Sequence, residues 1–190
     1  SEATGNPAEV RAPATGQSAT PSEADAASTI EELSKKSGVT EELRKRVEVL
    51  ANEYDNIRIA FAPGPNRTRL MEVVASKMRT LGKALRAMLP ELSIAESAGR
   101  PLAAVSFLEV EPNSDLIQWL AERVEKEQPF IGYHAARALG LAARALPDDQ
   151  LEGVEKAIAQ ALAAVANKTD SDRLHVLKAA LAEVKKRRGT

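Results

Sequence analysis

Residues 129–146 read PFIGYHAARALGLAARAL and predict one helix that packs among others. A proline in the first turn and Pro147 directly after the stretch are helix start and stop signals. Isoleucine, leucine and alanine recur at helical spacing and form an apolar face, and the small residues between them let neighbouring helices approach. The stretch therefore predicts helix-on-helix packing.

The composition of the whole chain favours the same class of fold. Aromatic residues are 3% of the 190 residues, and much of the 44% hydrophobic fraction is alanine, the best helix former. The net charge of −1 gives no general attraction to nucleic acid, which we do not expect as a partner. No cysteine is present, which excludes disulfides and thiolate metal sites.

The sequence carries no signal for membrane insertion or for secretion. No apolar run reaches the roughly 20 residues that a membrane span needs. The first residues lack the charged and apolar regions of a signal peptide. We therefore expect a cytoplasmic protein that does not contact a membrane.

Composition divides the chain into a tail and a helical domain. Residues 1–27 are almost entirely small or polar, which predicts a disordered linker. Residues 28–190 predict the helical domain. We divide this domain into N-terminal helices at 28–90, which include a long hairpin, and later helix pairs at 91–190.

The predicted hairpin follows a short helix expected at 28–38. Apolar residues recur at alternating spacings of four and three over 43–61, and the same pattern continues over 70–88. A proline- and glycine-rich break at 62–66 separates the two stretches. We therefore predict an antiparallel helical hairpin with arms of about 20 residues each.

Four further helices are expected at 115–126, 129–146, 149–166 and 171–187, and a shorter one opens at Pro101. The four form two pairs separated by about 35–40 residues, the length of helical-pair repeats. The chain thus predicts an all-α fold, a long helical hairpin followed by HEAT-like antiparallel helix pairs. The overall arrangement is an α-solenoid or an irregular bundle.

Two stretches resemble a known group of modules. Residues 57–72 read IRIAFAPGPNRTRLME, and residues 126–136 read KEQPFIGYHAA. Together they resemble the HEAT-like helical tail modules of bacterial multidomain effector proteins, whose TIR-like or caspase-like domains serve anti-phage defence. The resemblance covers about residues 40–165 and includes no catalytic motif. It implies that any enzyme lies outside this chain and that the module senses, docks or oligomerises.

Basic residues on both sides of the Pro-Gly-Pro turn form a candidate anion site. Arg58 precedes the turn, and Arg67, Thr68 and Arg69 follow it at the start of the next helix. Guanidinium groups and the free amides of a helix start bind phosphate or carboxylate. Alternatively, these arginines pair with local acids such as Glu72 or are simply solvated.

A stripe on the helix quoted first is the candidate contact surface. It carries Tyr133, Arg137 and Arg144, with His134 beside it. Tyrosine and arginine can stack on a base or bind the carboxylates of a partner. Alternatively, Tyr133 packs against a neighbouring helix and the arginines pair with nearby acids. Trp119, the single tryptophan, is either a satellite core residue or an exposed interface residue.

The chain has no recognised catalytic or metal-binding pattern, so we expect neither an enzyme nor a cofactor. Its two histidines, His134 and His175, lack a second histidine or an acid at a metal-ligand spacing. No serine or threonine lies in a nucleophile-elbow pattern. Glu109 and Glu111 are typical of a solvated helix face, and Arg79 of an exposed basic stripe.

These observations support two hypotheses about function. The first is a non-catalytic interaction and regulatory module that acts through protein contacts or self-association, within a larger bacterial defence protein. The second is a sensor of a small phosphate-bearing ligand, or of nucleic acid, that uses Arg58, Arg67 and Arg69.

Overall fold

The computed structural model describes residues 24–25, 28–29, 39–168 and 171–190, and within them the chain is all-α without a strand. The described α-helices are α1 (Glu41–Ala60), α2 (Pro65–Thr80), α3 (Leu89–Ser93), α4 (Gly99–Val110), α5 (Ile117–Lys126), α6 (Pro129–Ala145), α7 (Leu151–Val165) and α8 (Ser171–Arg188). Short 3-10 helices lie at Gly82–Met88, Ser114–Leu116 and Asp148–Gln150.

The predicted hairpin is formed by α1 and α2, but its second arm is shorter than expected. The first arm begins after Thr40, whose hydroxyl accepts a hydrogen bond from the Leu43 amide at 3.1 Å. The second arm ends at Thr80, because Gly82 adopts a left-handed backbone with a φ of 55° and a 3-10 helix follows. Leu85, which follows this break, is buried. The apolar spacing in the sequence therefore continues across the break and gives no sign of it.

Helix α4 is the central helix of the core. All residues at 101–109 are buried, as expected for a helix that is almost wholly apolar. The helix contacts α1, α2, α3 and α6. Its first amide, on Gly99, donates to Asp55 Oδ1 of α1 at 3.0 Å, and Ser97 Oγ donates to Asp55 Oδ2 at 2.6 Å. The Asp55 carboxylate therefore stabilises the start of α4 from a neighbouring helix.

The four later helices pack against one another. Helix α5 packs on α6 and α7 on α8, while α5 also contacts α7 and α6 contacts α8. Two arginines of α8 hold the ends of the other helices. Arg173 Nη1 donates to Val124 O at 2.7 Å, and Arg187 Nη1 donates to Ala143 O and Leu146 O at 2.9 Å. These bonds satisfy carbonyls that the last turns of α5 and α6 leave without an intrahelical partner.

Several predictions concern residues that the structure does not describe. Most of the predicted linker and of the short helix at 28–38 lie outside the described residues. Of that part, 24–25 and 28–29 are helical, and Ser28 Oγ donates to Ala24 O at 3.0 Å. Among the described helices, none is long and apolar enough to cross a membrane.

Candidate functional site

Four charged side chains from three helices meet beneath the surface. His134 of α6 is fully buried, and its Nδ1 lies 2.7 Å from Glu109 Oε1 of α4. Its Nε2 lies 2.7 Å from Glu72 Oε2 of α2. Arg79 donates to the second oxygen of each carboxylate, at 2.8 Å for Glu72 and 3.0 Å for Glu109. We call these four residues the buried ion cluster.

The buried ion cluster is held in its charged form. Burial lowers the pKa of His134, but hydrogen bonds to Glu109 and Glu72 outweigh burial, so this pKa lies above its ordinary value. Burial likewise raises the pKa of Glu72, but the hydrogen bonds from His134 and Arg79 hold it below its ordinary value. The geometry agrees with these directions, because both ring nitrogens lie 2.7 Å from carboxylate oxygens and only an imidazolium donates from both. In that form two cations balance two carboxylates.

The buried ion cluster is satisfied by its own members, because each of its four carboxylate oxygens has a donor. The cluster also corrects three expectations. His134 is not on the contact surface, Glu109 is not on a solvated face, and Arg79 is not in an exposed basic stripe. Because α4 is buried, the Glu109 carboxylate lies inside the protein, where a charge is stable only with charged or hydrogen-bonding partners. His134 and Arg79 are these partners and are therefore drawn away from the surface.

A groove of about 510 Å³ opens beside the buried ion cluster, and we call it the basic groove. Its apolar lining comes from the turn after α1, from α2 and from α6: Pro63, Met71, Pro129, Phe130 and Tyr133. Its polar lining includes Tyr54, Arg58, Arg67, Thr68, Glu72, Gln128 and Asp172. Three of the four residues of the candidate anion site, all but Arg69, are therefore brought together here with Tyr133 of the candidate contact surface.

Two helices begin at the basic groove without a capping side chain and without an acidic residue in the first turn. Helix α2 follows Gly64, helix α6 follows Gln128, and both start with a proline. The first intrahelical hydrogen bonds are donated by Thr68 to Gly64 and by Gly132 to Gln128, which leaves the preceding amides outside this ladder. Such amides and the positive ends of the helix dipoles attract anions.

Arg58 and Arg67 add two positive charges to the basic groove. Neither forms an ion pair with an acid of the described chain. The Arg58 guanidinium lies 6.0 Å from the centroid of the Tyr54 ring, and Arg67 Nη1 donates to Phe61 O at 3.5 Å. Arg67 Nε is buried without a hydrogen-bond partner within the described ranges. The alternative pairing of Arg67 with Glu72 is not observed, because Glu72 belongs to the buried ion cluster.

Tyr54 brings a buried hydroxyl to the basic groove. The side chain is fully buried, it lines the groove, and its hydroxyl has no hydrogen-bond partner among the described residues. Burial raises the pKa of this hydroxyl above its ordinary value, although Arg58 opposes the shift, so the hydroxyl stays a donor. An unsatisfied buried hydroxyl costs about 1–3 kcal/mol, which a ligand oxygen in the groove would recover.

The remaining predicted site residues lie away from the basic groove. Arg69 is exposed and donates to Asn66 Oδ1. Trp119 packs against the core and its Nε1 donates to Ser93 O at 2.9 Å, so of its two interpretations the satellite core residue is the one observed.

A second groove brings together the other three residues of the candidate contact surface. It has a volume of about 430 Å³, lies between α6 and α8, and is lined by Tyr133, Arg137 and Arg144 of α6 with His175 of α8. Arg137 Nε lies 4.0 Å from a carboxylate oxygen of Glu109. Because Tyr133 lines both grooves, it forms their shared boundary.

Sequence reasoning missed the acids that hold His134. A signal exists, because Glu109 is the single charged residue in the otherwise nearly apolar run 101–110, which predicts a buried helix. The sequence does not show that Glu109 and Glu72 contact His134, since they lie 25 and 62 positions away from it. The position of Tyr54 in the apolar stripe of α1 predicts that its ring is buried. It does not predict where the hydroxyl lies or whether it has a partner.

Within the described residues, no group of histidine or carboxylate side chains could hold a metal ion. The resemblance to helical tail modules of bacterial effectors remains a prediction that rests on residues 57–72 and 126–136. Comparison with known protein families, with curated proteins and with solved structures finds no match for this chain.

Proposed function

We propose that this chain is a non-catalytic regulatory module that recognises an anionic group in the basic groove. The observation that carries the proposal is the convergence of two uncapped helix starts, those of α2 and α6, with Arg58 and Arg67. Backbone amides, guanidinium groups and the Tyr54 hydroxyl are all donors. An anion would gain their interactions without displacing an ion pair of either arginine.

The negative charges beside the basic groove do not cancel this attraction. Of the two acids in its lining, Glu72 is neutralised by His134 and Arg79. Asp172, in the first turn of α8, is the other. Arg58 and Arg67 outnumber the Asp172 carboxylate, so the electrostatic potential in the groove is positive. The positive ends of the two helix dipoles add to this potential.

A regulatory role is supported by where the groove lies. The stretches 57–72 and 126–136, which carry the resemblance to sensing and docking modules, both contribute to its lining. A ligand there would hold α2 and α6 together at their starts. Ligand binding would thereby change any contact that these two helices make with another protein, without a chemical reaction in this chain.

The proposal is tested by thermal unfolding in inorganic phosphate or sulfate, with chloride added to keep the ionic strength constant. We expect a saturable rise in the melting temperature, because a ligand that binds only the folded state stabilises it. Arg58→Gln and Arg67→Gln should each weaken phosphate binding about tenfold or more, the value of a charge-assisted hydrogen bond.

Arg69→Gln is the matched control for Arg67→Gln, because the exposed Arg69 lies on the same helix but outside the groove. It should leave the apparent affinity for phosphate unchanged. The proposal is wrong if phosphate causes no saturable shift in the unaltered protein, or if Arg69→Gln weakens binding as much as Arg67→Gln.

Tyr54→Phe gives a second readout in which two effects have opposite sign. Removing an unsatisfied buried hydroxyl should raise the free energy of unfolding of the unliganded protein by about 1 kcal/mol or more. The same change should reduce the stabilisation by phosphate, because a donor is lost. Urea unfolding with and without phosphate measures both effects. A lower stability of the unliganded variant would show that the hydroxyl already has a partner.

Self-association is the second candidate function, and an apolar surface on α1 favours it. Val49 and Phe61 are 55% and 42% exposed, and with Ile57 they line a shallow depression of about 530 Å³. The net charge of −1 leaves little repulsion between copies. Light scattering after gel filtration, over a concentration series, should then detect a dimer that Val49→Glu dissociates. A monomer at every concentration excludes this function.

A further inference from the structure

We infer that the basic groove takes a planar, hydrogen-bonding ring joined to one phosphomonoester, the chemistry of a nucleoside monophosphate. The inference rests on the anion site proposed above and names the class of ligand for it. It is carried by the lining of the groove, in which anion donors lie beside an aromatic surface within one volume of about 510 Å³. A groove of that size suits a small molecule of this class.

The phosphate end is specified by the type and number of donors. Arg58, Arg67 and Thr68 line the groove next to the start of α2, and α6 begins at the same groove. The Tyr54 hydroxyl, fully buried and without a partner among the described residues, adds one more donor. A phosphomonoester has three terminal oxygens, each able to accept several hydrogen bonds, whereas a carboxylate has two. Donors from several directions therefore match a phosphate better.

The ring end is specified by an unusual concentration of aromatic side chains. Three of the six aromatic residues of the chain, Tyr54, Phe130 and Tyr133, line this groove. Tyr54 is fully buried, so Phe130 and Tyr133 provide the ring surfaces that a ligand can reach. The Phe130 ring lies 5.9 Å from the Tyr54 ring and 4.7 Å from the His134 ring, so packing fixes its position. Tyr133 and Phe130 are only half-buried, which leaves part of each ring accessible to a ligand.

One further side chain favours a ring that carries hydrogen-bonding groups. Gln128 lines the groove with an amide that both donates and accepts. A ring with donors and acceptors at its edge therefore fits the groove better than a plain hydrocarbon ring.

Isothermal titration tests the inference with adenosine monophosphate, ribose 5-phosphate, phenyl phosphate and inorganic phosphate at one ionic strength. We expect adenosine monophosphate to bind at least about tenfold tighter than ribose 5-phosphate, since stacking of a base on an aromatic side chain adds affinity of this order. Phenyl phosphate should lie between them, because it stacks without hydrogen bonds at its ring edge.

Variants separate the two ends of the ligand. Tyr133→Leu should abolish the tenfold preference for adenosine monophosphate and leave the affinity for inorganic phosphate unchanged, while Arg67→Gln should weaken every phosphate. Phe130→Leu gives the same test from the other half-buried ring, and circular dichroism reports whether either variant is folded. Equal affinities for adenosine monophosphate and ribose 5-phosphate would overturn the inference but keep the anion site. Tighter binding of a glutamate-rich peptide than of any phosphate would also overturn it, and no binding at all would remove both proposals.

Discussion

At the residue scale, His134 controls the charge balance of the buried ion cluster. The groups that face it are Glu72 and Arg79 of α2, Glu109 of α4 and, farther away, Arg137 of its own helix. With the imidazole charged, the two glutamates are matched by two close cations. Loss of its proton leaves two buried carboxylates that share one close arginine, which is unfavourable at low dielectric.

The pH dependence of stability follows from the direction of two pKa shifts. The pKa of His134 is raised by folding, so its contribution is complete below the unfolded value of 6.5 and is lost as pH rises through the folded pKa. The pKa of Glu72 is lowered, so its contribution is complete above 4.5 and is lost as pH falls through the folded pKa. We therefore expect the cluster to stabilise the protein most between these two values.

Urea unfolding at a series of pH values from 5.5 to about 8.5 checks this expectation. The free energy of unfolding should fall above pH 6.5, with a slope of up to about 1.4 kcal/mol per pH unit from His134. His134→Gln should lower stability near pH 6 by about 3 kcal/mol and flatten the slope. His175→Gln, at the exposed second histidine, is the control and should keep the slope. An unchanged slope in His134→Gln would contradict the assigned charge state.

At the element scale, the approach of α4 to α1 depends on Gly99. A Cβ atom built on Gly99 would lie 2.6 Å from Ala51 Cα and closer still to Ala51 O, and both are backbone atoms that cannot rotate away. Gly99→Ala should therefore force the two helices apart and lower the free energy of unfolding by about 2 kcal/mol or more. Gly153→Ala is the matched control.

The control should give the opposite sign. Gly153 is exposed in α7, and a Cβ atom added there would have no neighbouring atom within 4 Å, so alanine adds helix propensity without a clash. We expect Gly153→Ala to raise stability by about 0.5–1 kcal/mol. Urea unfolding of both variants measures the two changes. A Gly99→Ala variant as stable as the unaltered protein would show that α4 does not pack this closely on α1.

Helix identity could be predicted from the sequence, while helix ends and helix partners could be predicted only in part. The stretch 129–146 carries its proline signals at both ends, and α6 spans Pro129–Ala145 as expected. The break near Gly82 was missed because buried leucines continue across it. The basic groove joins residues near position 60 to residues near position 130, and such contacts arise from packing that local spacing does not contain.

At the scale of the whole molecule, one hydrophobic cluster runs from Leu43 of α1 to Val184 of α8. The hairpin and the later helix pairs are connected through α4, which contacts both α2 and α6. The buried ion cluster joins the same three helices. The core therefore includes helices on both sides of residue 90, and the helical part of the chain should unfold as one unit.

Thermal unfolding followed by two probes tests this cooperativity. Trp119 of α5 is the single tryptophan, and its indole donates to Ser93 O at the end of α3, so its fluorescence reports on the junction between hairpin and helix pairs. Far-ultraviolet circular dichroism reports on all helices. We expect the two midpoints to coincide in the unaltered protein and to shift together in His134→Gln, because the cluster stabilises both halves. Two separate midpoints would show that the hairpin and the helix pairs unfold independently, and that α4 does not unite them.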